Sequence, residues 1–211
     1  MEVLLPLRIS ICKSICKEMK NIESNESNYH RLFQREKVYD PIIEINTRGS
    51  ITYEGEYSSL KFQRKLYYPS ETIWKEITDP KRLSEWMNTK AIINGKRGGT
   101  IDFVNTISGF HTSGDILIWE PNRIFEHEWH IAPNPSLPQG ELNSIIRWEL
   151  EQDGELNTLL TLIHNRLGKS ISLRFAPGWH AYLDRLEANL DNKEPPNWMH
   201  RFGEVKELYS E

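Results

Sequence analysis

The chain has 211 residues, 38% hydrophobic and 27% charged, with a formal net charge of −4. That length holds one well-buried core, or one core and an appendage. The acidic balance argues against the Lys- and Arg-rich footprint of a nucleic-acid or anionic-lipid partner, and no apolar run approaches the ~20 residues that span a bilayer.

Residues 1 to about 40 read as an N-terminal extension, disordered or loosely helical, ahead of a domain over 41–211. Asn21 to Asn28 (NIESNESN) is small, polar and of low complexity, as a solvated linker is. Before it, Ile9, Cys12, Ile15, Cys16 and Met19 recur at roughly helical spacing. Glu2 stands where a signal peptide is basic, and Pro6 and Arg8 interrupt its apolar patch, so no signal peptide is read. Met19-Lys20 offers a second start. Cys12 and Cys16 lack the His or further Cys of a zinc site and read as reduced thiols of a cytoplasmic protein.

From Ile42 the pattern becomes ordered. Ile51 to Glu56 and Tyr57 to Tyr67 read as extended. Pro69-Ser70-Glu71 opens a helix with Ser70 as its cap, and Ile73, Trp74 and Ile77 supply the buried stripe. Asp79-Pro80 starts a second short helix, with Leu83, Trp86 and Met87 apolar. Strands follow over Thr100 to Val104, Gly114 to Trp119, Arg123 to His130, Ser144 to Leu150 and Leu156 to His164, punctuated by Glu120-Pro121-Asn122 and Asp153-Gly154 turns. The period then becomes helical. Pro177-Gly178 marks the predicted start of a long helix to about Asp191, its stripe being Trp179, Tyr182 or Leu183, Leu186 and Leu190. A short tail follows Pro195-Pro196. Strands in succession followed by a helix predict an α+β domain with an antiparallel sheet.

Four blocks carry a family resemblance: LKFQRKLYYPSETIWKEITDPKRLSEWM, GDILIWEPNRIFEHEWH, IIRWELEQDGELNTLLTLIHNRL and APGWHAYLDRLEANLDNKEPPNWMHRF. Together they resemble the prokaryotic single-domain relatives of the activator of the 90-kDa heat-shock chaperone ATPase, in the START-like, birch-pollen-allergen-like (SRPBCC) superfamily. The resemblance runs from about Gly55 to the C-terminus. It implies a helix-grip fold, a curved antiparallel sheet around the long C-terminal helix, with a cavity between them. In the wider superfamily that cavity takes lipids, sterols or polyketides, and in some members it hosts cyclisation.

Strand alternation selects the side chains facing that helix. They are Ile101 and Phe103; Phe125, His127 and Trp129; Ile146 and Trp148; Leu160, Leu162 and His164. With Trp86, Trp179 and Leu183 they form the predicted ligand-binding set, against the plainer reading that they simply fill a core. His127 stands where an apolar residue is usual in the resembling pattern. It reads either as a titratable handle or as a buried neutral His bonded to a backbone carbonyl, the second being favoured. His164 and His180 lack a third partner for a metal, and His180 is also read as facing solvent. Leu159 and Ile163 face away from the cavity, toward the N-terminal segment, a homodimer contact or solvent.

No GxSxG, P-loop, GxGxxG or HExxH occurs, and no cofactor is read. The expected function is therefore non-enzymatic binding of a small hydrophobic, lipid- or polyketide-like molecule. A cyclase or dehydratase using His127 is the alternative. A co-chaperone role with the 90-kDa chaperone, suggested only by the resemblance, is the third reading.

Overall fold

A computed structural model describes residues 47–210; the N-terminal readings through residue 46, both cysteines included, lie outside them. Strands β1 (Ser50–Glu54) and β2 (Tyr57–Leu66) form a hairpin. Gly55 turns it at φ +56°, a conformation that only a residue without Cβ adopts freely. Helices α1 (Ser70–Thr78) and α2 (Pro80–Trp86) follow, then β3 (Thr89–Ile93), β4 (Thr100–Asn105), β5 (His111–Glu120), β6 (Ile124–Ile131), β7 (Glu141–Asp153) and β8 (Asn157–Gly168). Helix α3 (Lys169–Leu190), helix α4 (Trp198–Lys206) and a 3-10 turn (Glu207–Tyr209) complete the domain. The eight strands make one antiparallel sheet in the order β1-β2-β8-β7-β6-β5-β4-β3. Helix α3 packs on it against β2 and β8. This is the expected α+β helix-grip fold.

Alternation decides which face is the core. Along β2, Ser58, Leu60, Phe62, Arg64 and Leu66 are buried. Along β6, Phe125, His127, Trp129 and Ile131 are buried while their neighbours are partly exposed. On the outer face, Arg147 joins Glu126 at 2.8 Å and Glu149 at 2.5 Å across β6 and β7. Register then sets rows across the sheet: His127 pairs with Ile146, Ile146 with His164, and His164 with Leu60. The two histidines are thus one strand apart in the same inward row.

Local readings change at three places. Ser70 is not a cap: Pro69 holds that position without a side-chain bond, and the Ser70 N–H donates instead to Gln152 Oε1 of β7 at 2.6 Å. Asp79 does cap α2, accepting from the N–H groups of Lys81 and Arg82. Strand β3 has no strong sequence signal, because it sits at the sheet edge with Ile92 turned outward and 64% exposed. The long helix starts at Lys169, and Pro177 lies inside it. An interior proline removes one helical hydrogen bond and costs about 3 kcal/mol. Burial of Ile171, Ser172 and Ala176 in the preceding turns offsets that cost. Leu173, whose carbonyl loses its helical partner, is exposed, so water can satisfy it.

The tail is structured too. Tyr209 is buried, its hydroxyl accepts from the Gly49 N–H at 2.9 Å, and it meets His180 Nδ1 at 2.9 Å. His180 is therefore 2% exposed, not solvent-facing. Beside it Asp184 receives Arg201 at 2.6 Å and Arg64 at 3.3 Å, and Arg64 also reaches Glu187 at 2.7 Å. These ions tie α3 to β2 and to α4.

Candidate ligand cavity

A cavity of about 900 Å³ opens between α3 and the β4–β6 part of the sheet, with the β4–β5 turn and α4 on its flanks. Its α3 wall is Ile171, Arg174, Phe175, Gly178, Trp179, Tyr182 and Arg185. Those steps of three and four residues are one face of a helix. The sheet supplies Phe103, Thr112 and Trp129, the turn supplies Ile107 and Phe110, and the C-terminal segment supplies Trp198, Met199 and Phe202. The aromatic walls touch one another: Trp129 and Trp179 ring centroids are 5.9 Å apart, and those of Phe110 and Phe175 6.3 Å.

All thirteen residues of the predicted set are buried, and they divide sharply. Phe103, Trp129 and Trp179 line the cavity. Trp86, Ile101, Phe125, His127, Ile146, Trp148, Leu160, Leu162, His164 and Leu183 are absent from its wall and pack in the core. Alternation tells inward from outward but cannot distinguish a filled interior from an open one. Here α3 and α1 lie close on the β2–β8–β7 side, while the aromatic-walled space lies on the β4–β6 side. Tyr182 already stands in the predicted stripe as the alternative to Leu183, whereas Arg185 is not part of it; with α3 starting at Lys169, both fall on the single face 171, 174, 175, 178, 179, 182, 185.

The histidines behave as core groups. His127 Nδ1 donates to the Glu128 carbonyl at 2.8 Å, and burial drives its pKa down to about 4. His164 Nδ1 accepts from Trp179 Nε1 at 3.0 Å, so its proton sits on Nε2, which has no partner among the described residues. Burial, and secondarily the nearby His127, hold His164 well below the usual histidine range. Burial also lowers His180 to about 4, although the Asp184 carboxylate opposes the shift. Among the described residues, no group of three or more His, Cys, Asp or Glu is placed to hold a metal.

Three neutral buried histidines make the fold acid-sensitive. Unfolded histidine titrates near 6.5, whereas folded His127 and His180 take a proton only near 4. Between those values the unfolded chain binds more protons, so stability falls as pH falls. Each such histidine contributes a loss of roughly 1 kcal/mol per pH unit across the window. Urea unfolding midpoints measured from pH 7 to pH 4.5 are expected to fall. In His127→Phe, which suits the apolar contacts with Phe103 and Phe125, the slope should shrink by about one proton.

At the other end of the cavity, Asn105 organises the β4–β5 turn. Its Oδ1 accepts from the N–H groups of Ile107 and Ser108 at 3.1 and 2.8 Å. Its Nδ2 donates to the Tyr182 hydroxyl at 3.2 Å. Burial pushes Tyr182 up to about 12, so it is a neutral phenol at physiological pH.

A curved antiparallel sheet gripping a long helix, with an aromatic-walled cavity between them, defines a helix-grip protein of the START-like class. The chain belongs to the Activator of Hsp90 ATPase homolog 1-like family, whose model matches residues 67–191. CalU16 from Micromonospora echinospora is similar in structure, with a TM-score of 0.60, 24% identity, and coverage of 76% of this chain and 94% of that one. A protein from the dynemicin biosynthetic locus, DynU16, gives a TM-score of 0.54 and 19% identity over 67% of this chain and 49% of the other. An Hsp90 activator from Plasmodium falciparum gives 0.51 and 22% over 63% of this chain and 95% of the other. At these identities the likeness is one of fold. A search of curated proteins gives no match. Among the described residues no helix is long and apolar enough to cross a membrane.

Proposed function

We propose that the protein binds a small, largely apolar molecule in the space between α3 and the β4–β6 half of the sheet. One observation carries this reading: about 900 Å³ of space walled by Phe103, Phe110, Trp129, Phe175, Trp179 and Tyr182. Cavities of that size and lining hold drug-sized ligands. The cyclase reading loses its main support, because His127 is off the cavity wall and bonded to a backbone carbonyl. Structural relatives in settings as different as a biosynthetic locus and chaperone activation give the fold no single activity.

Native mass spectrometry of protein purified from its own host tests the proposal. The expected result is a one-to-one adduct of a small molecule. A lipid or polyketide present at 100 times its Kd should stabilise the native state by about 2.7 kcal/mol and raise Tm accordingly. Empty spectra, together with no thermal shift across a lipid and polyketide panel, would remove the reading. Retention of the 90-kDa chaperone in a pull-down, with no small molecule bound, would favour the co-chaperone role instead.

A further inference from the structure

Arg185 is a cation inside the wall of this cavity with no carboxylate paired to it among the described residues. It is 6% exposed. Its Nε donates to the Trp86 carbonyl at 2.5 Å and its Nη1 to the Pro196 carbonyl. Among the described residues no carboxylate lies within ion-pairing distance of it, whereas Arg64, Arg147 and Arg201 each have two. Burial lowers its pKa, opposed by the neighbouring Tyr182 and by no carboxylate. Among the described residues its Nη2 has no hydrogen-bond partner, and it is not enclosed by the core. Arg185 lines the cavity, and Nη2 is the part of its guanidinium left to meet a ligand there.

Tyr182 lies three residues earlier on the same helical face and on the same wall. Its oxygen accepts from Asn105, which leaves the phenolic O–H as a second donor without an acceptor among the described residues. Asn105 is fixed in that orientation because its Oδ1 is taken by the turn amides. A guanidinium edge and a phenol O–H thus stand side by side at one end of a cavity whose other walls are aromatic. The rest of the wall adds only Glu194 as an acid, and it is exposed, as are the two further cations Arg174 and Lys206.

Taking the proposed apolar-ligand reading as its base, we infer that the ligand is an amphiphilic monocarboxylic acid. Its apolar body lies against Trp129, Trp179 and Phe175, and its carboxylate bonds Arg185 Nη2 and the Tyr182 hydroxyl. A carboxylate supplies the missing counter-charge and accepts both hydrogens at once. The net charge of the chain is −4, so its overall field opposes an anion, and any preference for one arises locally.

Equilibrium dialysis at neutral pH with two matched probes tests this: 4-(1-pyrenyl)butyrate and 4-(1-pyrenyl)butanol, which share body and length and differ in the charged head. The acid is expected to bind at least roughly tenfold more tightly, the usual worth of a charge-assisted hydrogen bond. Arg185→Gln should erase that preference and leave the affinity for the alcohol within about twofold. Arg185 also holds two backbone carbonyls, so a second variant guards against loss of folding. Tyr182→Phe keeps the ring, removes only the hydroxyl, and should lower the preference at least threefold. Equal binding of acid and alcohol by the unaltered protein overturns the inference while leaving the apolar-cavity reading intact. So does a preference that persists in folded Arg185→Gln or is unchanged in Tyr182→Phe. Binding of neither probe overturns both.

Discussion

Trp179→Ala is expected to lower the free energy of unfolding by about 3–5 kcal/mol, the range for removing a buried tryptophan. Trp179 joins the filled and open parts of the interior. Its ring lies 5.8 Å from Trp148 on the packed side and 5.9 Å from Trp129 on the cavity side, by centroids. Its Nε1–H is the one hydrogen-bond partner of His164 Nδ1 among the described residues. The alanine variant therefore leaves a void and also strands an acceptor on a fully buried imidazole, a further cost of about 1–3 kcal/mol if the site does not relax. Trp179→Phe separates the two effects. It keeps most of the ring and loses the hydrogen bond, so about 1–2 kcal/mol is expected. Urea unfolding followed by far-ultraviolet circular dichroism measures both. A cost below about 1 kcal/mol for the alanine variant would mean that Trp179 is not the hinge of the packing described.

Arg64→Ala is expected to cost about 3 kcal/mol or more. Arg64 is 3% exposed and sits on the inward face of β2. It donates to the Thr47 and Gln63 carbonyls and pairs with Asp184 and Glu187 of α3. Removing one member of a buried ionic cluster leaves the others desolvated and unpaired, which is why such losses are large. The damage is uneven. Glu187 is 41% exposed and screened by water, while Asp184 keeps Arg201. The Thr47 and Gln63 carbonyls lose the guanidinium as a donor. Adding Glu187→Gln to Arg64→Ala should recover part of the loss, by about 1 kcal/mol or less, because it removes a carboxylate left without its cation. A full cost under about 1 kcal/mol for Arg64→Ala would place this cluster with ordinary surface ion pairs.

The fold was legible to the extent that its signals are local. Period-two alternation exposed the inward face of β4, β6, β7 and β8, and turn residues such as Pro121-Asn122 and Gly154 marked the hairpins. Signals failed where tertiary packing overrode a local rule. Pro177 reads as a helix start, yet Lys169 to Ala176 is helical because Ile171 and Ala176 are buried against the domain. Strand β3 is held by pairing with β4 despite weak patterning. The C-terminal tail folds over α3 through contacts distant in sequence, such as Tyr209 with Gly49 and His180.

The cavity was legible only in part for a different reason. Sequence alternation reports burial, and burial is common to Leu160, which fills the core, and to Trp129, which bounds the open space. Where the space lies depends on the placement of α3 and α4 over the sheet. The polar end, made by Asn105, Tyr182 and Arg185, depends on the turn after β4 meeting a helix some 80 residues later in the chain, a contact of 77 residues' separation for Asn105 and Tyr182. No short motif records such a meeting.

The central claim is that one internal space takes one small apolar molecule. Fluorescence titration with the neutral probe 4-(1-pyrenyl)butanol tests it most directly, with energy transfer from the wall tryptophans as the signal. The account predicts a single saturable site of one-to-one stoichiometry. It also predicts that the site disappears in Thr112→Phe, which enlarges a wall residue, while that variant still unfolds cooperatively. Absence of saturable binding, or binding of equal strength in folded Thr112→Phe, would contradict it.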